Sequence, residues 1–234
     1  AETRLWEQGT ACGVPNNIVF DSTIDSVEFL VSRYVRVDSS VNRDDILARI
    51  ATEDGSRFAL FSVSTSFELT LRSILPNETD GLNQLGTPTT VVADLDRDGR
   101  LDIIYGDYDG EVIWCEWNGS TMQQVWAATL RQNDATAWMA VGDFNCDGAP
   151  ELFAGSRSNA GYSSESQRLL QGWDFVLFEC TGDNQLVLAD SMSILGNENV
   201  SFNPASVTSV DLDMDQCDEI VISGAREHNL KNVT

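Results

Sequence analysis

A chain of 234 residues with 42% hydrophobic and 9% aromatic residues can bury a full core and is too apolar to be intrinsically disordered. Its net charge of −23 repels phosphates over the whole surface, which argues against nucleic-acid or anionic-membrane partners and makes cations the natural counterparts. No apolar run approaches the roughly 18 residues needed to cross a bilayer, and a start at Ala1 without Met or a signal-like stretch reads as a mature or excised segment.

In chain order, two short strands are expected near Leu5–Gln8 and Asn17–Phe20. A unit then runs over Val27–Leu75, with "DDILARI" and, after Asp54-Gly55, "RFALFSV" as strands. The next unit begins with "TTVVA" at Thr89–Ala93 and continues through "IIYG" at Ile103–Gly106 and "EVIWCEW" at Glu111–Trp117. It closes, after the turn Asn118-Gly119, with "MQQVWAATL" at Met122–Leu130. The following unit has "WMAVG" at Trp138–Gly142, "LFAG" at Leu152–Gly155, a polar insertion at Ser156–Gly172, "DFVLFEC" at Asp174–Cys180 and "QLVLADSMSIL" at Gln185–Leu195. Last come "SVTSV" at Ser206–Val210 and "IVISG" at Ile220–Gly224. Short β-type runs broken by turn residues, with no helical periodicity, predict an all-β chain.

Three acidic stretches sit between strand pairs: "DLDRDGRLD" from Asp94, "DFNCDGAPE" from Asp143 and "DLDMDQCDE" from Asp211. Oxygen-bearing side chains occupy positions 1, 3, 5 and 9 of each. These are Asp94, Asp96, Asp98 and Asp102; Asp143, Asn145, Asp147 and Glu151; and Asp211, Asp213, Asp215 and Glu219. Alternating oxygens around a sharp turn at position 6 suit a hard cation that needs six to eight oxygen ligands, so calcium is expected, about three ions in all. Gly99 and Gly148 supply the permissive turn; Gln216 stands there in the last loop and weakens it. Position 12 holds Tyr105, Ala154 and Ile222, so the EF-hand pattern is rejected.

With their flanking strands, "VADLDRDGRLDIIYG" and "AVGDFNCDGAPELFAG" resemble the FG-GAP or VCBS repeats of integrin-α-like β-propellers. The resemblance implies four-stranded blades with calcium in loops between the first two strands, a structural role for the ion, and use in extracellular adhesion, carbohydrate binding or display. Spacings of about 50 to 70 residues between loops agree with such blades. The expected units are residues 27–80, a degenerate first blade without metal; 81–134 and 135–200, each with a calcium loop; and 201–234, a partial fourth blade. Residues 1–26 would complete a terminal blade, either this chain's own or a neighbour's. The second arrangement is a head-to-tail contact that builds a ring or filament; a fragment of a longer propeller is the other reading.

Neighbouring blades would set their loops side by side, which makes Cys146 and Cys217 the first choice for a disulfide. Cys115 and Cys180 lie on corresponding strands and read as buried thiols; with Cys12 the count is odd, and no CxxC spacing suggests zinc. N-x-S/T sequons at Asn77, Asn118, Asn199 and Asn232 point to a secreted glycoprotein.

Catalysis finds little support: the one histidine, His228, and the one lysine, Lys231, lie in the polar C-terminal stretch, and no phosphate loop or nucleophile elbow is present. Asp107 and Asp109 read as turn residues. The tryptophans read as packing between blades, with sugar stacking kept open should Trp117 or Trp173 be exposed. The reading is therefore a secreted, calcium-stabilised β-propeller-like glycoprotein, a structural or adhesive module that meets protein partners or its own copies. A lectin-like propeller that binds glycans is the alternative, and a polysaccharide-degrading enzyme on the same scaffold comes third.

Overall fold

The computed structural model describes residues 24–35, 45–52, 55–65, 69–81, 90–130, 136–163, 168–195 and 203–225. Among them every regular element is a strand. β1 (Ile24–Val35), β2 (Asp45–Thr52), β3 (Gly55–Val63) and β4 (Leu69–Ile74) form one antiparallel sheet in sequence order. β5 (Thr90–Ala93), β6 (Asp102–Gly106), β7 (Glu111–Trp117) and β8 (Met122–Thr129) form a second, and β9 (Thr136–Gly142), β10 (Glu151–Ser163), β11 (Arg168–Gly182) and β12 (Gln185–Leu195) a third. β13 (Asn203–Val210) and β14 (Glu219–Ala225) make a two-stranded sheet. The expected strands at Leu5–Gln8 and Asn17–Phe20 lie outside the described residues.

The apolar runs do not alternate with polar residues because both faces of the central strands are covered. All of β6 and all of β7 are buried. Ile103 and Tyr105 pack toward Leu47, Phe58 and Leu60 of the first sheet, while Ile104 between them packs toward Met139, Leu152 and Ala154 of the third. Phe153 and Phe175, on the third sheet's other face, meet Val207, Ile220 and Ile222. Side chains one residue apart on a strand point to opposite faces, so the sheets stack face to face in chain order. The architecture is all-β and propeller-like, with each sheet a blade.

The polar insertion at Ser156–Gly172, expected as a loop, is in large part strand. β10 and β11 stay paired out to Ser163 and Arg168, past a register shift between Asn159 and Gly161. Backbone pairing in a hairpin is indifferent to side-chain polarity, and an arm that projects beyond its sheet needs no apolar face. Within the sheet, Gly155 makes room for the neighbouring strand: a Cβ there would lie 2.5 Å from the Phe175 ring, which stacks on Phe153 with centroids 5.0 Å apart.

Candidate metal centres

Each acidic stretch joins the first two strands of a blade, and the three fold alike. The position-9 carboxylate opens the second strand and reaches back to cap the loop. Asp102 accepts the Leu95 N–H, Glu151 that of Phe144 and Glu219 that of Leu212, each at 2.7 Å. The position-1 carboxylate accepts the N–H of position 6, from Gly99 at 3.1 Å, Gly148 at 2.8 Å and Gln216 at 3.1 Å. Position 5 accepts that of position 7, with Asp98, Asp147 and Asp215 as the acceptors.

These bonds require two left-handed residues per loop. Position 6 has φ of 88°, 83° and 78° at Gly99, Gly148 and Gln216; position 4 has 61°, 64° and 65° at Arg97, Cys146 and Met214. Gln216 thus adopts the glycine conformation against its own preference. The left-handed position 4 carries no glycine in any loop, so nothing in the sequence announced it.

Residues 94–154 match the family model of the FG-GAP-like repeat. This segment is an FG-GAP-like repeat. No curated protein matches the chain. The repeat points to a β-propeller module of the extracellular adhesion type, a class that is generally non-enzymatic and whose repeats often bind calcium.

The fold brings carboxylate oxygens within 4.8 Å of one another in all three loops: Asp94, Asp96 and Asp102; Asp143, Asp147 and Glu151; Asp211, Asp213 and Glu219. Asp98 and Asp215 are not in these triplets, and Asn145 donates to Asp147 and accepts its N–H. Two observations fit a hard cation. Asp94 Oδ1 and Glu151 Oε1 are buried without a hydrogen-bond partner, and every donor is oxygen. Asp102, fully buried, is pushed up to about 7 by that burial, against the opposing Leu95 N–H bond; burial also raises Glu151. A cation is what such carboxylates need to stay charged at neutral pH. Asp45, which opens β2 as Asp102 opens β6, pairs instead with Arg72.

Neighbouring loops are tied across blades. Cys146 and Cys217 form a disulfide with Cα atoms 5.0 Å apart, and Asp218 exchanges backbone and side-chain hydrogen bonds with Asp143. The turn between β11 and β12 leans on the first loop, where Asn184, at φ 56°, donates its N–H to Asp96 and its side-chain amide to Glu116. The disulfide is the one expected from the loops lying side by side, whereas Asn184 comes from distant sequence and left no local signal.

Three further expectations meet the geometry. Trp117 and Trp173 are buried, at 5% and 7% exposure, and Arg72 lies 4.2 Å from the centre of the Trp117 ring, so neither offers a sugar-stacking face. Cys115 and Cys180 are not disulfide-bonded, and Cys115 is buried. Of the sequons, Asn118 occupies an exposed hairpin turn whose hydrogen bonds use its Oδ1. Asn77 is half-buried, with its side-chain amide donated to Asp107 at 3.0 Å. Asn199, Asn232, Cys12, His228 and Lys231 lie outside the described residues.

Proposed function

We propose that the chain is a secreted, calcium-stabilised glycoprotein module that works by structure and adhesion, one ion sitting in each of the loops 94–102, 143–151 and 211–219. The observation that carries the reading is the pair of buried, unpartnered oxygens, Asp94 Oδ1 and Glu151 Oε1, at loop positions that the sequence marks for a cation. Calcium would draw the position-1, position-3 or position-5, and position-9 carboxylates together and cancel their repulsion; the chain's own hydrogen bonds hold those side chains in place beforehand. Melting with and without chelator tests it. Chelator should lower the melting temperature, and Asp96→Ala or Asn145→Ala should reproduce part of the loss. A melting curve indifferent to chelator overturns the assignment.

Self-assembly in head-to-tail fashion is the finer form of this proposal, and position 2 of the loops supports it. Leu95 is fully buried against the third sheet, and Phe144 packs in the cluster that includes β13 and β14. Leu212 is 63% exposed and Met214 beside it 88%. In this series each loop's apolar residue is covered by the following blade, and for the last loop the described residues supply none. Another copy, or strands from residues 1–26, would serve. Light scattering in calcium should then show a polymer that residues 1–20 are needed to build; a polymer unaffected by that deletion removes the N-terminal segment from the contact. The burial of Trp117 and Trp173 removes those two as stacking residues for the lectin alternative.

A further inference from the structure

The opposite end of the second blade carries another acidic group. The turn between β6 and β7, together with the first residue of β7, brings carboxylate oxygens of Asp107, Asp109 and Glu111 within 4.8 Å of one another. Asp107 is fully buried. One of its oxygens accepts the N–H groups of Gly110 and Glu111, and the other accepts the Asn77 amide. The segment after β4 runs across this turn, and Gly81 lies so close to Asp109 that a Cβ would meet Oδ2 at 2.2 Å. Between them is a cavity of about 490 Å³ lined in part by Thr79, Asp80, Asp109, Glu111 and Thr129. Asp80 and Gly81 are exposed, so the cavity reaches solvent.

Glu111 supplies the second, independent observation. It is only 8% exposed, its Oε1 accepts the Thr129 hydroxyl, and its Oε2 is buried with no hydrogen-bond partner. A buried carboxylate oxygen in that condition is destabilising unless something positive meets it. A surface turn has no need to bury such an oxygen beside two further acids. We propose that this pocket is a separate site for a hard divalent cation, held by Asp107, Asp109 and Glu111 with water from the cavity filling the remaining positions. The oxygen-only donor set selects calcium or its like over softer metals. An ion there would brace the β6–β7 turn at the end of the blade remote from the 94–102 loop, and with it Asp107, the acceptor of the Asn77 amide from the segment after β4.

The site stands apart from the three-loop reading, and the test separates them. Calcium stoichiometry of the whole chain is measured by equilibrium dialysis for the wild type, for Glu111→Gln and for the triple variant Asp96→Ala, Asn145→Ala and Asp213→Ala. Glu111→Gln should bind one calcium fewer, or bind one ion at least tenfold more weakly, while the triple variant keeps a site that a further Asp109→Asn removes. Unchanged stoichiometry and affinity in Glu111→Gln overturns the proposal and leaves two acids sharing a proton. Should Glu111→Gln fail to fold by circular dichroism, Asp109→Asn alone decides by the same measure. If the loops bind nothing and the Glu111-dependent ion remains, the loop reading falls and this one stands.

Discussion

The link between Cys146 and Cys217 closes a loop of 71 residues in sequence, and its worth can be worked from that number. Chain entropy removed from the unfolded state amounts to about 4 kcal/mol for a loop of this length. A domain of this size shifts its melting temperature by roughly 2–4 °C per kcal/mol, so loss of the bond should lower it by roughly 8–16 °C. Alanine is the right replacement because Cys146 has φ of 64°; Ala keeps the same backbone strain, where Gly would relieve it and mask part of the loss. Scanning calorimetry of Cys146→Ala, Cys217→Ala and the double variant should give three equal shifts, since either single change already breaks the bond. Added reductant should move the wild type to the same temperature and leave the variants where they are. A wild type shown by non-reducing electrophoresis to carry the bond, yet melting within 2 °C of the double variant, refutes the reasoning.

Stability of the metal-free chain should fall as pH rises. Asp102 and Glu111 are both pushed up to about 7, by burial first and, for Glu111, by Asp107 and Asp109 next. The folded state therefore holds more protons than the unfolded between about pH 4 and 7, and stability present at the acid end is lost as those groups ionise. Melting temperatures in chelator across this range should decline, Asp102→Asn should flatten part of the slope, and a metal-free melting temperature that rises with pH overturns the argument. In a glycosylating secretory host, mass spectrometry should find glycan on Asn118 and none on Asn77, whose amide serves Asp107; Asn77→Gln should then cost stability without changing mass beyond the substitution. Gly142→Ala should weaken the contact between the third sheet and β13–β14, because its Cβ would meet Asp218 Oδ2 at 2.6 Å and Ser209 Cβ at 2.9 Å. Overpacking of this kind costs about 1–3 kcal/mol, and an unchanged melting temperature counts against the close approach.

How much of this was legible in the sequence follows from what each feature depends on. Strands such as "EVIWCEW" and "QLVLADSMSIL" announce themselves because β-branched and aromatic residues bounded by turns have few other uses, and both occupy the expected positions. The alternation of oxygen-bearing residues at positions 1, 3, 5 and 9 was legible as a local pattern, whereas which three carboxylates converge, with Asp96 and Asp213 in two loops and Asp147 in the other, depends on the folded turn. The Cys146–Cys217 pairing could be reasoned only through the stacking of blades. Polarity misled at Ser156–Gly172, where a paired arm was taken for a loop. Asp107 and Asp109 read as ordinary turn residues, since burial of Asp107 is imposed by the chain around 76–81 and by Thr136, whose N–H bonds its carbonyl. Asn184 could not be found at all: its role at Asp96 exists only once two blades are adjacent.

The loop residues hold two kinds of bond at once, and this shapes what an ion would do. Asp96 stands in the triplet with Asp94 and Asp102 and also accepts the N–H of Asn184 from the next blade. Asp143 stands in the triplet with Asp147 and Glu151 while its backbone is paired to Asp218. A cation that fixes either triplet therefore fixes the acceptor or the backbone on which the neighbouring blade rests. The apolar clusters between sheets favour contact but have no direction of their own; the polar ties at the loop end supply the register. Loss of the ion should accordingly loosen the angle between blades as well as the loops themselves. An assembly continued through β13 and β14 would feel the same release, because the 211–219 loop lies at that edge and is fastened to the 143–151 loop by the disulfide.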